Sequence, residues 1–146
     1  MIYIGSDYAG YKLKESIKKY FDIKKIDYVD VGTDSEKIKN DFTDFIPPVV
    51  KPVQKSNKNF GILICGTGFG MVIGSNRFRK IRSVLAYNKK QAKNSKIYDN
   101  TNILCLSAWN TKGVEAQKII EVWLETKFQP LVRRIKRFKK IDTWHK

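Results

Sequence analysis

Histidine, cysteine and acidic residues are scarce in this chain, and each scarcity removes a class of function. The 146 residues include one histidine, His145, in the tail, so no spaced set of imidazoles is available to hold a metal. Two cysteines, Cys65 and Cys105, are too few and too separated for a disulfide scaffold. Both lie in apolar runs, where reduced thiols are expected. No apolar run is long enough to cross a bilayer, so no membrane partner is expected. Met1 leads straight into the strand-like Ile2-Tyr3-Ile4, which leaves no room for a cleavable leader, and the protein is expected in the cytoplasm. Internal repeats and low-complexity segments are also missing. The length suits one domain over residues 1–146.

Fourteen acidic residues face 29 basic ones, a formal charge of +15. Such a potential attracts phosphates on polymers and on small metabolites alike. No helix-turn-helix, zinc-finger or aromatic RNA-binding signature accompanies it, so nucleic acid is not the expected partner. Most of the excess is lysine scattered over helix faces. The exception is a C-terminal cluster, Arg133, Arg134, Lys136, Arg137, Lys139 and Lys140, rich in guanidinium groups suited to phosphate.

The most informative segment is Ile62-Leu63-Ile64-Cys65-Gly66-Thr67-Gly68-Phe69-Gly70. A buried strand needs continuous apolar residues, and a backbone that approaches a ligand closely needs residues without Cβ. A following helix would aim unpaired N–H groups at the same place, favouring an anion and easing ionisation of Cys65. Local sequence also allows Cys65 to be a small buried hydrophobe that closes a core strand.

Strand-like and helical periods alternate along the whole chain. Strands are expected at Ile2–Gly5, Tyr28–Val31, Phe60–Cys65, Ile81–Ala86 and Asn102–Leu106. Leu13, Ile17 and Phe21 recur at helical spacing, and further helices are expected over Phe69–Arg77, near Lys89–Ser95 and through Val114–Leu124. A basic helix at about 129–142 ends the chain. Pro47, Pro48 and Pro52 require any helix between Phe42 and Ser56 to be interrupted or to start late. This alternation predicts an α/β fold, a five-stranded parallel sheet in a three-layer α/β/α arrangement. Ligands of such sheets bind beyond the carboxyl ends of strands, where the loops Gly5–Gly10, Cys65–Gly70 and Tyr87-Asn88 should meet.

The motifs Gly5-Ser6-Asp7-Tyr8-Ala9-Gly10, Leu13-Lys14, Asp30-Val31-Gly32-Thr33, Asp41-Phe42, Ile62–Gly70 and Asn102-Ile103-Leu104 together resemble the ribose-5-phosphate isomerase B and galactose-6-phosphate isomerase family. The match is collinear from Met1 to about Phe138. It implies a Rossmann-like fold, a homodimer or tetramer with active sites shared between subunits, a sugar-phosphate substrate, and no cofactor or metal. It implies aldose–ketose isomerisation through a cis-enediolate, in which Cys65 is the base, Thr67 relays a proton, and Asp7 holds sugar hydroxyls and assists ring opening. The amides of Gly66, Gly68 and Gly70 match the anion hole. Arg133, Arg134, Arg137 and Lys39 are the candidates for the phosphate.

The chain departs from the family where histidine is usual. Tyr8 follows Asp7, and Tyr98-Asp99-Asn100-Thr101-Asn102 stands for a His-Asn-Asp-x-Asn run, so Tyr98 takes the catalytic place while Tyr8 and Asp99 line the substrate. A tyrosine donates a hydrogen bond but accepts protons poorly near neutrality. Trp109 replaces a usual phosphate-binding arginine; with Tyr8 and Tyr98 it could stack a sugar ring or pack a subunit contact. Two functions therefore stay open: an isomerase acting on ribose 5-phosphate or a close aldose phosphate, and a catalytically impaired relative that binds a sugar phosphate or a protein.

Overall fold

The computed structural model describes residues 1–144, so His145 lies outside the described residues. Strands β1 (Ile2–Ser6), β2 (Tyr28–Asp30), β3 (Phe60–Cys65), β4 (Ser83–Leu85) and β5 (Ile103–Ser107) form one five-stranded sheet in the order β2-β1-β3-β5-β4. Every neighbouring pair is parallel. Helices α1 (Tyr11–Lys24), α2 (Ile46–Lys55), α3 (Phe69–Ser75) and α4 (Lys89–Asp99) supply the four crossovers, and α5 (Gly113–Glu125) and α6 (Val132–Asp142) follow the last strand. This is the expected three-layer α/β fold.

Alternation along the strands divides the core in two. Ile62 and Ile64 pack with α1, α4 and α5 through Ile17, Phe21, Ala92, Ile119 and Trp123. Leu63 and Cys65 point the other way, toward Val49, Val50 and Met71 of α2 and α3. The near-continuous apolar sequence of β3 follows from this burial on both faces.

Helix α2 starts late, at Ile46, after a 3-10 turn over Phe42–Phe45. Pro47 and Pro48 fall in its first turn, where amides have no helical partner. Pro52 lies inside α2 without ending it, and Asn59 Nδ2 donates to its carbonyl at 2.9 Å. The strand expected over Ile81–Ala86 is shorter because β4 is an edge strand paired only with β5. The helix expected to end near Ser95 continues to Asp99, where Asn100 stops it in the left-handed conformation.

A buried ion pair ties α1 to β2. Lys14, 1% exposed, bonds Asp30, which also receives Lys18 at 2.8 Å and the Gly32 amide at 2.9 Å. Burial alone would raise the Asp30 carboxyl, but these donors outweigh it and hold the group below its usual range. Leu13-Lys14 and Asp30–Thr33 therefore mark one structural contact.

Candidate active site

β1 and β3 lie side by side with Ser6 level with Ile64, so Asp7 and Cys65 leave the carboxyl edge of the sheet together. After β1 the chain turns to α1 on one face, and after β3 it turns to α3 on the other. A crevice opens where neighbouring connections diverge in this way.

Cys65 is 5% exposed, and its Sγ accepts the N–H of Gly68 at 3.1 Å. Burial pushes the thiol above its ordinary range, and the Asp7 charge adds to the rise. The amides of Gly68, Met71 and Thr67 pull it back only partly. The expected easy ionisation is thus corrected: α3 has only seven residues, and enclosure between α2 and α3 outweighs the amides it presents. The Cys105 thiol, fully buried on the neighbouring strand, is pushed further, to about 12.

Asp7 Oδ1 accepts from the Gly10 amide at 3.0 Å and caps the short 3-10 turn Tyr8–Gly10. Burial raises this carboxyl, the Gly10 and Ala9 amides lower it in part, and Asp41 adds a further rise. An acid shifted this way is better matched to proton exchange near neutrality than an ordinary aspartate. Thr67 Oγ1 accepts the Phe69 amide at 3.3 Å, which aligns the first turn of α3.

Gly68 adopts φ +82, a left-handed conformation that L side chains rarely take, and a Cβ there would lie 2.6 Å from Leu85 Cδ1. A Cβ on Gly66 would lie 2.6 Å from the Trp109 ring, so the indole packs directly on the thiol loop. Ala108 N donates to Cys65 O at 2.9 Å, Trp109 N to Gly66 O at 3.1 Å and Ser107 Oγ to Gly66 O at 2.8 Å. The strand order explains this buttress. β5 separates β3 from β4, so the Ser107–Trp109 turn, rather than Tyr87-Asn88, is the immediate neighbour of the thiol loop.

Asn40 also belongs here and was not legible from sequence. Its Oδ1 accepts the Tyr8 amide at 3.0 Å, and its Nδ2 donates to Thr33 Oγ1 at 2.8 Å. This brings the loop carrying exposed Lys39 to the Asp7 turn. The only sequence signal was the polar, irregular run 34–40.

The remaining candidates lie elsewhere in the same chain. α4 leaves the carboxyl edge at Lys89 and returns to the amino edge, so Tyr98 and Asp99 sit at the opposite end of the sheet from Cys65. Arg134 joins them there. It is buried, its Nη1 donates to Ile97 O at 3.1 Å and to Gln129 O at 3.0 Å, and its guanidinium lies 4.6 Å from the Tyr98 ring centre. Arg134 therefore fastens α6 to α4. Arg133 and Arg137 are exposed on α6. Among the described residues, no cluster of histidine, cysteine and carboxylate side chains could hold a metal ion, and no helix is long and apolar enough to cross a membrane.

A glycine-lined thiol beside an acid, on a parallel α/β sheet of this order, defines the class, and comparison with known proteins gives the family. The Ribose/Galactose Isomerase family matches residues 2–141, and the chain belongs to this family of sugar-phosphate isomerase enzymes. Among solved structures, a ribose 5-phosphate isomerase from Thermotoga maritima superposes with a TM-score of 0.93 at 38% identity, covering 97% of both chains. Ribose-5-phosphate isomerase B from Mycoplasma genitalium, solved with bound ribulose-5-phosphate, gives 0.91 at 33% identity, covering 98% of this chain and 94% of that one. A 4-deoxy-4-sulfo-D-erythrose isomerase from Clostridium sp. (strain MSTE9) is 31% identical over 87% of this chain and 80% of its own length.

Proposed function

We propose that the protein interconverts ribose 5-phosphate and ribulose 5-phosphate through a cis-enediolate, with Cys65 as the base. The observation that carries this reading is the Cys65 Sγ held by the Gly68 amide at the carboxyl edge of the sheet, beside Asp7. The thiolate removes the proton on C2 of the open-chain aldose and returns it to C1, while Thr67 moves a proton between the two oxygens. The amides of Gly66 and Gly70 stabilise the developing enediolate oxygen while that of Gly68 holds the thiol; one such donor is typically worth about 3 kcal/mol. Asp7 opens the ring, and Tyr8 holds hydroxyls beside it. Because the free thiol is pushed upward, kcat/KM rises with pH through neutrality.

The two-ended distribution of candidates supports a site completed by a second copy of the chain. Cys65, Thr67, Asp7 and Lys39 come from one subunit. Tyr98 and Asp99, with Arg133 and Arg137 on the phosphate, come from its partner. Retention of the thiol, Thr67 and the loop glycines favours catalysis over a binding-only descendant. A mixing experiment tests the sharing. Cys65→Ala chains and chains carrying Arg133→Ala with Arg137→Ala, each inactive alone, should regain about a quarter of wild-type activity when co-refolded into dimers. No recovery despite heterodimer formation would place the whole site in one chain. Turnover of 4-deoxy-4-sulfo-D-erythrose or galactose 6-phosphate, without turnover of ribose 5-phosphate, would reject the substrate.

A further inference from the structure

A cleft of about 830 Å³ at the amino edge of the sheet lies outside the isomerase chemistry. Its walls come from the last turns of α2, α4 and α5 and from the residues that lead into β3, β4 and β5. A strand length, roughly 20 Å, separates it from the thiol crevice of the same chain, and it is lined by none of Tyr98, Asp99, Arg133 and Arg137. Lys55, Lys80, Arg82, Lys96 and Lys127 line it against a single carboxylate, Asp142. Among the described residues, ion pairs involve only Lys12, Lys14 and Lys18, so none of these cations is neutralised by one.

Lysines also gather at helix C-termini simply to complement the macrodipole. Each terminus carries about half a negative charge, so three of them offset about one and a half of the cleft's excess of four positive charges. That leaves a clear positive balance. Lys96 has a different origin, because it is buried within the wall. At 4% exposure its Nζ donates to Thr101 O at 3.1 Å and stands 4.2 Å from the Phe60 ring centre and 4.6 Å from that of Trp123. A carbonyl and two ring faces solvate the ammonium without a counter-charge, and burial together with Arg82 lowers its pKa to about 8. Arg82 Nε donates to Asn100 O at 2.9 Å. Phe60, Leu124 and Phe128 add an apolar side.

We propose that this cleft is a second, non-catalytic site for a compact anion bearing two linked phosphate groups, gathered by Lys80, Arg82, Lys96 and Lys127. The proposal goes beyond the isomerase reading and does not depend on it. Pyrophosphate is the probe, titrated at 0.15 M ionic strength, roughly the physiological value, by calorimetry and by ¹⁵N amide shifts. Saturable binding is expected, with shifts centred on Lys80–Arg82, Lys96, Asn100, Asn102 and Thr126–Phe128. Lys80→Gln with Lys127→Gln, both exposed and compatible with folding, should weaken affinity at least about tenfold, and Lys96→Met should do so separately. Absent saturation, shifts confined to residues 66–70 or to Tyr98, Asp99, Arg133 and Arg137, or affinity unchanged in these variants would overturn the site. Orthophosphate binding as tightly as pyrophosphate would overturn the assignment to two linked phosphates.

Discussion

Replacement of Gly68 by alanine tests the thiol loop through both stability and rate. The residue sits at φ +82, and moving an L residue into the left-handed region costs about 1–2 kcal/mol. The new Cβ would stand 2.6 Å from Leu85 Cδ1 and 3.2 Å from the carbonyl oxygen of Leu106. Leu85 can rotate, but the Leu106 backbone is fixed in the ladder to β3, so overpacking adds about 1–3 kcal/mol. The expected destabilisation is therefore about 2–5 kcal/mol, read as a lower urea midpoint at unchanged m. Truncating Leu85 to alanine in the same chain should recover the collision and leave the dihedral part, so the double-mutant cycle shows coupling of about 1 kcal/mol or more. The same substitution moves the amide that bonds Cys65, and kcat should fall about 100-fold. A Gly68→Ala protein within about 0.5 kcal/mol of wild type, the range of an ordinary surface substitution, would refute the strain argument.

Three further substitutions probe the scaffold. Lys14→Met leaves the Asp30 carboxylate under-compensated and should cost about 3–5 kcal/mol by urea melt. Because Asp30 is held low when folded, its stabilisation is present above the unfolded value of about 3.9 and is lost as pH falls through the lower folded value; the variant should lose part of that acid sensitivity. Lys96, at about 8 folded against about 10.4 unfolded, binds fewer protons in the native state between those values, so its contribution to stability grows as pH rises. Cys105 works in the opposite direction over the same range, so the informative quantity is the difference between Lys96→Met and wild type. That difference should shift by about 3 kcal/mol in favour of wild type from pH 7 to 10.5. A flat difference would contradict the buried, unpaired ammonium. Arg134→Gln should release α6 from α4, giving faster amide exchange over residues 132–142 and a raised KM with kcat nearly unchanged; a lowered kcat at constant KM would contradict a positioning role.

Much of the layering was legible because periodicity carries it. The run Phe60–Cys65 was read at its observed bounds since burial on both faces demands unbroken apolar residues and glycines mark its end. Less was legible where tertiary context decides. Nothing in the strand pattern says that β5 inserts between β3 and β4, so the Ser107–Trp109 turn was not recognised as the partner of the thiol loop. Tyr98 and Cys65 read as members of one motif set, but helix α4 reverses direction between β4 and β5 and carries Tyr98 to the far edge. The Cys65 thiol looked easy to ionise because its loop amides are visible in sequence, whereas its enclosure by residues of α2 and α3 is not. Arg134 looked like its neighbours on α6; only the packed structure turns it inward, onto the carbonyls of Ile97 and Gln129.

The central claim is that the sulfur of Cys65 moves the proton. The direct measurement is the appearance of ribulose 5-phosphate from ribose 5-phosphate, with wild-type and Cys65→Ala proteins compared in deuterated water. Wild type should turn over and incorporate solvent deuterium at C1 of the ketose, and Cys65→Ala should lose at least about 100-fold in kcat while melting as a folded protein. Turnover and deuterium incorporation that persist in folded Cys65→Ala would contradict the account.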